Sequence, residues 1–412
     1  MIHKVEALNY RCFNYVGQRL NRFQVLVGPN SSGKTSFLDL IAFLGDLVRK
    51  GVDGAIKQRT RNLHDLVWGR EGGRFELALE VSIPQEILNR LPDQDFRACR
   101  YEVVIASNPE SDEAAILSEK ALVLLPTDVP RDPQETLFPL GGAVPETLVT
   151  PRGVRSAKTL VNKVPGGNDH FYDETGHGWD HAFKLGSKKS ALGNLPEDEG
   201  RFPVSTWLKG MLADGIYRLN LEPLVLRKPS PPGQPGAFRP DGSNLPWVVE
   251  DLKRADFDSY FAWTGHVRSA LPDIESVNTV ERREDRARYL LVRYRGGLEV
   301  PSWMVSDGTL RFLALSLPAF LPGYDKTYLI EEPENGIHPE AVEHLYAFLR
   351  SAVESQVLVT THSPVILETA EPDRVLCFSK NREGASQIVS GEQHPALRNG
   401  RQGDLFAPGN FD

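Results

Sequence analysis

The residues Gly28, Pro29, Asn30, Ser31, Ser32, Gly33, Lys34, Thr35 and Ser36 contain the spacing GxxxxGK[ST]. They stand between an apolar run, Phe23 to Val27, and a stretch of helical periodicity, which is the context such a loop requires. Glycines at both ends allow a tight loop whose main-chain N–H groups converge on phosphate, and the helix start beyond adds its dipole. The chemistry predicted is binding of ATP with Mg²⁺. Lys34 would bridge the β- and γ-phosphates, and the Thr35 hydroxyl would hold the metal.

Three further clusters could complete a reaction. Tyr328-Leu-Ile-Glu331-Glu332-Pro333-Glu334 is an apolar strand ending in acids. Acids at the carboxyl end of a buried parallel strand fall where such sheets bind ligands. Glu331 is expected to organise Mg²⁺ and Glu332 to polarise the attacking water. Thr360-Thr361-His362-Ser363-Pro364 ends the next strand, where a neutral imidazole would reach the γ-phosphate or that water. Val305-Ser306-Asp307-Gly308-Thr309 opens a helix. Ser306 reads first as an N-cap, and an N-cap with outward N–H groups also suits a second phosphate-binding surface.

A strand over Phe23–Val27 leads into a helix from about Lys34 to Arg49, with Phe37, Leu38, Ile41, Leu44 and Leu47 on one face. Strand-like runs follow at Phe75–Ile83 and Tyr101–Ala106. From Pro126 to about Pro246 the chain is rich in Pro and Gly, interrupted or followed by helical stretches at Thr206–Arg218 and Val248–Val267. Order returns with strands at Tyr289–Tyr294, Thr327–Ile330, Gln356–Thr361 and Arg374–Ser379, and helices from Gly308 and from Pro339 to Val353. Strands alternating with helices at both ends imply an α/β fold, a mixed and largely parallel sheet covered by helices. The expected division is residues 1–125, an inserted subdomain 126–280, and residues 281–412. Trp207, Trp247, Phe257 and Trp263 give the insert a core of its own, and Trp207, Trp247 and Trp263 alternatively make it a docking surface.

The order of these motifs, and the phrases SDGTLRFLAL, EEPENGIHP and THSP, resemble the ABC-type ATPases of the SMC-like, RecF-like and OLD-like branch, the prokaryotic AAA_21 kind. The resemblance covers roughly residues 1–100 and 280–380. It implies a P-loop ATPase head in which Gly28–Thr35 is the Walker A loop, Glu331 and Glu332 are Walker B and the catalytic base, and His362 is the switch histidine. It also implies that Ser306 and Gly308 form a signature reaching the ATP of an opposite subunit, giving a homodimer or higher homo-oligomer with ATP sandwiched between heads. Arg11, after the first strand, stands where this branch often places a phosphate-facing basic residue. Two departures are visible: Glu331 stands where Asp is usual, and Asp307 replaces a signature glycine. Gln58 is the nearby candidate for the glutamine that follows Walker A in the family.

Composition limits the function classes. With 412 residues and a formal net charge of −8, the chain presents no overall basic field to nucleic acid, although a local DNA contact stays open. Its three cysteines, far apart, form neither a disulfide framework nor a zinc site. No apolar run approaches the roughly 18 residues of a membrane span, so a cytoplasmic protein without a membrane partner is expected. His170, Asp173, His177 and His181 match no standard metal spacing, and Glu281–Arg288 reads as a solvated turn of mixed charge. The expected role is an ATP-driven switch in DNA maintenance or anti-phage defence, with a nuclease-like effector encoded nearby. The alternatives are an ATP-binding scaffold with little turnover, a transporter ATPase, or a self-contained nuclease. Against the last, only 50 residues follow His362, and Asp373, Glu383 and Asp404 are scattered.

Overall fold

A computed structural model describes residues 1–397 apart from 94, 108–112, 127–143, 177, 322–325, 352–354 and 395–396. His177 and Asp404 lie outside the described residues. The chain opens with the hairpin β1 (Ile2–Tyr10) and β2 (Phe13–Arg19), then β3 (Phe23–Val27) and α1 (Lys34–Lys57). Next come β4 (Arg74–Ser82), α2 (Gln85–Leu88), β5 (Ala98–Ser107), β6 (Ala114–Leu124), β7 (Ala157–Lys163), β8 (Asp169–Phe171) and β9 (His181–Phe183). The middle of the chain holds α3 (Pro203–Asp214), β10 (Ile216–Leu219), α4 (Pro223–Leu226), α5 (Leu245–Ala255) and α6 (Phe257–Ala270). A small sheet of β11 (Ile274–Glu281), β12 (Arg288–Tyr294) and β13 (Glu299–Pro301) precedes α7 (Asp307–Ser316) and β14 (Thr327–Glu331). The chain continues through α8 (Pro339–Ser351), β15 (Gln356–Thr360), α9 (Pro364–Thr369), β16 (Val375–Lys380) and β17 (Ser386–Ser390).

The strands form three sheets. The one that carries the motifs runs β10-β14-β15-β3-β16-β17, parallel except for the final hairpin, while β2-β1-β4-β5-β6-β7-β8-β9 form an antiparallel sheet. Side-chain alternation divides the core between the two faces of the parallel sheet. Leu26, Leu329, Leu358 and Leu376 face α1, α3 and the antiparallel sheet. Val25, Val27, Tyr328, Ile330, Val357 and Val359 face a second core built with α5 to α8. Covering on both sides is why every residue of β3 and β15 is buried, Gln24 and Gln356 included.

The segment expected as an insert shares sheets with both of its flanks. β7–β9 prolong the sheet begun by β1–β6, and β10 is the edge strand beside β14. The helix read over Thr206–Arg218 stops at Asp214, because Ile216–Leu219 pair in register with Thr327–Ile330. The helix read over Val248–Val267 is two helices. Asp256 breaks it and N-caps α6, accepting from the Ser259 N–H at 3.0 Å. Helix α1 holds its expected first stretch and continues past a break at Gly51.

Of the tryptophans, Trp263 is fully buried and donates to Ser316 Oγ at 3.0 Å, while Trp207 and Trp247 are half-buried. Trp263 is therefore core and no docking anchor, whereas Phe257 is exposed. The charges of Glu281–Arg288 pair among themselves at the β11–β12 turn.

Candidate nucleotide site

Register brings the motifs together. Thr360 pairs with Leu26 on one side and Glu331 on the other, so three adjacent parallel strands end at one level. The loop after β3, the acids after β14 and His362 after β15 therefore emerge side by side at the carboxyl edge, where open α/β sheets bind ligands.

The loop itself is shaped for an anion. Gly33 has φ 108°, in the left-handed region, and serves as the N-cap of α1 without a side-chain cap. The first helical turn contains no acid, so its N–H groups face the loop uncompensated by a carboxylate. Ser31 also adopts positive φ, Pro29 and Asn30 are exposed, and Ser36 is half-buried in the first turn. The buried Ser32 Oγ has no hydrogen-bond partner among the described residues, an orphan that a phosphate oxygen would satisfy. Lys34 Nζ donates to the carbonyls of Gly28 at 2.6 Å and Pro29 at 2.9 Å, inside the loop. Burial pulls its pKa down to about 8, against the opposing pull of the Glu332 charge.

The acids are held by specific partners. Thr35 Oγ1 donates to Glu331 Oε2 at 2.7 Å, while Arg218 of β10 grips Glu331 Oε1 through Nη2 at 2.6 Å and Nε at 3.1 Å. Oxygen donors from Thr35 and Glu331 suit a hard divalent cation, so these residues fit Mg²⁺. Glu332 takes φ 45°, a left-handed conformation that turns its side chain out of the strand. Its Oε2 accepts from Asn335 Nδ2 at 2.6 Å, and its Oε1 lies 3.8 Å from His362 Nε2. Burial and the nearby Lys34 charge lower the pKa of His362, opposed by Glu332 and Glu334, which favours the neutral imidazole. Glu334 supports it from behind, accepting from the His362 N–H at 2.9 Å and from Thr361 Oγ1 at 2.7 Å.

Ser306 caps α7, its Oγ accepting from the Thr309 N–H at 3.2 Å and donating to Thr309 Oγ1 at 2.8 Å. Gly308 has a reason within its own chain: a Cβ there would overlap the carbonyl oxygen of Gly336. The start of α7 thus lies directly on the turn after the acids. Arg311 tightens that contact by donating to the carbonyls of Glu332 at 3.0 Å and Glu331 at 3.4 Å.

Arg11 pairs with the buried Asp39 of α1 at 2.9 Å. Asp39 also receives Tyr10, Arg59 and Arg218, so it links the first hairpin to β10. A groove of about 710 Å³, lined by Arg11, Cys12, Ser36, Trp68, Arg70 and Lys380, runs beside the loop. Gln58 lies elsewhere, on a separate groove with Asp46 and Lys50. His170 stacks on Tyr172 and His181 packs on Phe202 beside Arg201.

Sequence reasoning missed Asp39, Arg218, Arg311, Glu334 and Asn335. Glu334 and Asn335 stand inside the acidic phrase after β14 and were within reach of its spacing. Arg218 carried no local signal, because its strand is four residues long and its partner lies 113 positions away.

A family model described as "AAA domain, putative AbiEii toxin, Type IV TA system" (AAA_21) matches residues 23–368. The chain belongs to that family. The fold is similar to an SMC head solved with the C-terminal winged-helix domain of ScpA, with TM-score 0.55 and 15% identity over 94% of this chain and 97% of that one. It is also similar to the Smc head with an extended coiled coil from Pyrococcus furiosus, solved with the C-terminal domain of ScpA, with TM-score 0.50 and 15% identity over 94% and 96% of the two chains. Comparison with curated proteins finds no match. Among the described residues, no helix is long and apolar enough to cross a membrane.

Proposed function

We propose that this chain binds Mg²⁺·ATP at the loop Gly28–Ser36 and hydrolyses it, with each site completed by Ser306 and Gly308 of a second copy. The observation that carries the reading is the common level of three strand ends, from which the loop of Lys34, the acids Glu331 and Glu332, and His362 emerge side by side. Lys34 and the α1 N-terminus neutralise the phosphates. Thr35 and Glu331 would hold Mg²⁺, which supplies charge neutralisation at the transferring phosphoryl group. Glu332, oriented by Asn335, takes the proton of the attacking water, and neutral His362 donates to the γ-phosphate or orients that water. Arg11 stays on Asp39 and shapes the groove beyond the loop.

We infer further that ATP closure of two heads and their reopening on hydrolysis form a switch in DNA maintenance or anti-phage defence, acting through a nuclease-like effector from another polypeptide. The family's description in terms of a toxin–antitoxin system supports the defence setting. Calorimetry and turnover together test the site. Lys34→Ala is expected to lose ATP binding, and Glu332→Gln to keep it while turnover falls by about 10²–10⁴-fold. Equal ATP affinity in wild type and Lys34→Ala sinks the assignment.

A further inference from the structure

Asp307 occupies the first helical position of α7, directly after Ser306, and its side chain is 56% exposed. On the proposed reading, the phosphates of a second copy's ATP arrive at this turn. A bare carboxylate there would repel them, more strongly as water is squeezed out between two heads.

Arg227 meets that carboxylate. It follows α4, and its guanidinium places Nη2 2.6 Å and Nε 2.8 Å from Asp307 Oδ1. The third arm, Nη1, donates to the Trp303 carbonyl at 2.8 Å, and the fully buried Ser302 returns a hydrogen bond to the Arg227 carbonyl at 3.1 Å. The planar fork therefore spans the turn from residue 303 to residue 307 and fixes both ends. An acid at a helix N-terminus is already favoured by the dipole, so α7 does not need Arg227 in order to form. What the arginine adds is neutrality on the outward side, where the charge would otherwise stand alone.

We propose that Arg227 is a positioning residue for the composite site: it holds and neutralises Asp307, so that the start of α7 presents N–H and hydroxyl donors to a second copy's triphosphate. This rests on the assignment of Ser306 and Gly308 to a shared site. Arg227 itself stays on its own chain's turn and touches no reacting atom.

The test is ATP-dependent association of the full chain, measured by sedimentation with Mg²⁺ and a slowly hydrolysed ATP analogue. Arg227→Met is expected to weaken association about tenfold, and Arg227→Lys by less. Asp307→Gly in the Arg227→Met background is expected to restore association to within about twofold of wild type, because the charge needing neutralisation is gone. A purely structural arginine would show no such rescue. Wild-type association in Arg227→Met, or a loss that Asp307→Gly leaves uncorrected in protein with a native circular dichroism spectrum, overturns the proposal. Ser306→Arg separates the two levels. If it is also silent, or if wild type itself does not associate, the composite reading fails and this inference with it. If Ser306→Arg abolishes association while Arg227→Met is silent, only the role of Arg227 falls.

Discussion

Lys34 is 7% exposed, and its ammonium lies among loop carbonyls that only partly replace water. The resulting pKa of about 8 has a measurable consequence. Near pH 8.5 the free protein holds Lys34 largely neutral. Phosphates beside it favour the charged form and raise the pKa, so ATP binding there takes up a proton. At pH 7 the ammonium is already formed and Lys34 takes up almost none. Calorimetry at pH 8.5 in buffers of different ionisation enthalpy should show uptake of up to about three-quarters of a proton per site, falling to about a tenth at pH 7. Binding heats that are independent of buffer at pH 8.5 would contradict this account of the loop. Glu331 shows the other side of residue-scale design. Both of its oxygens are engaged, one by Thr35 and one by Arg218, so the longer acid is fixed rather than free to wander.

At the scale of elements, α7 and the turn after β14 behave as one piece. Gly308 packs on Gly336, and Arg311 bonds the carbonyls of both acids. Gly308→Ala sets two effects against each other. Helix propensity favours alanine by up to about 1 kcal/mol, while forcing a methyl group into backbone contact costs about 1–3 kcal/mol. The obstacle is main chain rather than a flexible side-chain tip, so the clash wins. A lower urea midpoint is expected, and an unchanged or higher midpoint would show that the turn yields. Much of this arrangement was legible beforehand. The run Phe23–Val27, the apolar approach to Glu331 and the run Gln356–Thr361 announced buried parallel strands, whose polar ends meet at one edge of the sheet. Strand β10 was not legible, because four residues after a helix give no periodicity. Nor was the antiparallel sheet's charged face, where Arg100 pairs with Glu6, Glu80 and Glu102 from three different strands. Spacing along a chain encodes which face a residue occupies. It does not encode which distant charge it meets there.

For the whole molecule, β3 from the beginning of the chain lies between β15 and β16 from its end. Gln356 seals that closure, accepting from the Ile2 N–H at 3.0 Å and donating to the Ile2 and Asn21 carbonyls. The candidate site thus draws on segments far apart in sequence that the parallel sheet brings side by side. With the acids near the loop engaged by Thr35, Arg218, Asn335 and Thr361, the purified chain is expected not to cut DNA. A plasmid-nicking assay with ATP and Mg²⁺ or Mn²⁺ checks this. Cleavage by wild type that persists through extensive purification would promote the self-contained nuclease reading. If ATP turns over at sites shared between two copies, a mixture of two inactive variants reveals it. Lys34→Ala and Ser306→Arg proteins are each expected to be inactive alone. Their heterodimer combines both defects in one site and leaves the other site intact, so an equal mixture should recover up to about a quarter of wild-type ATPase activity. No recovery, with heterodimers confirmed by native mass spectrometry, would contradict the account.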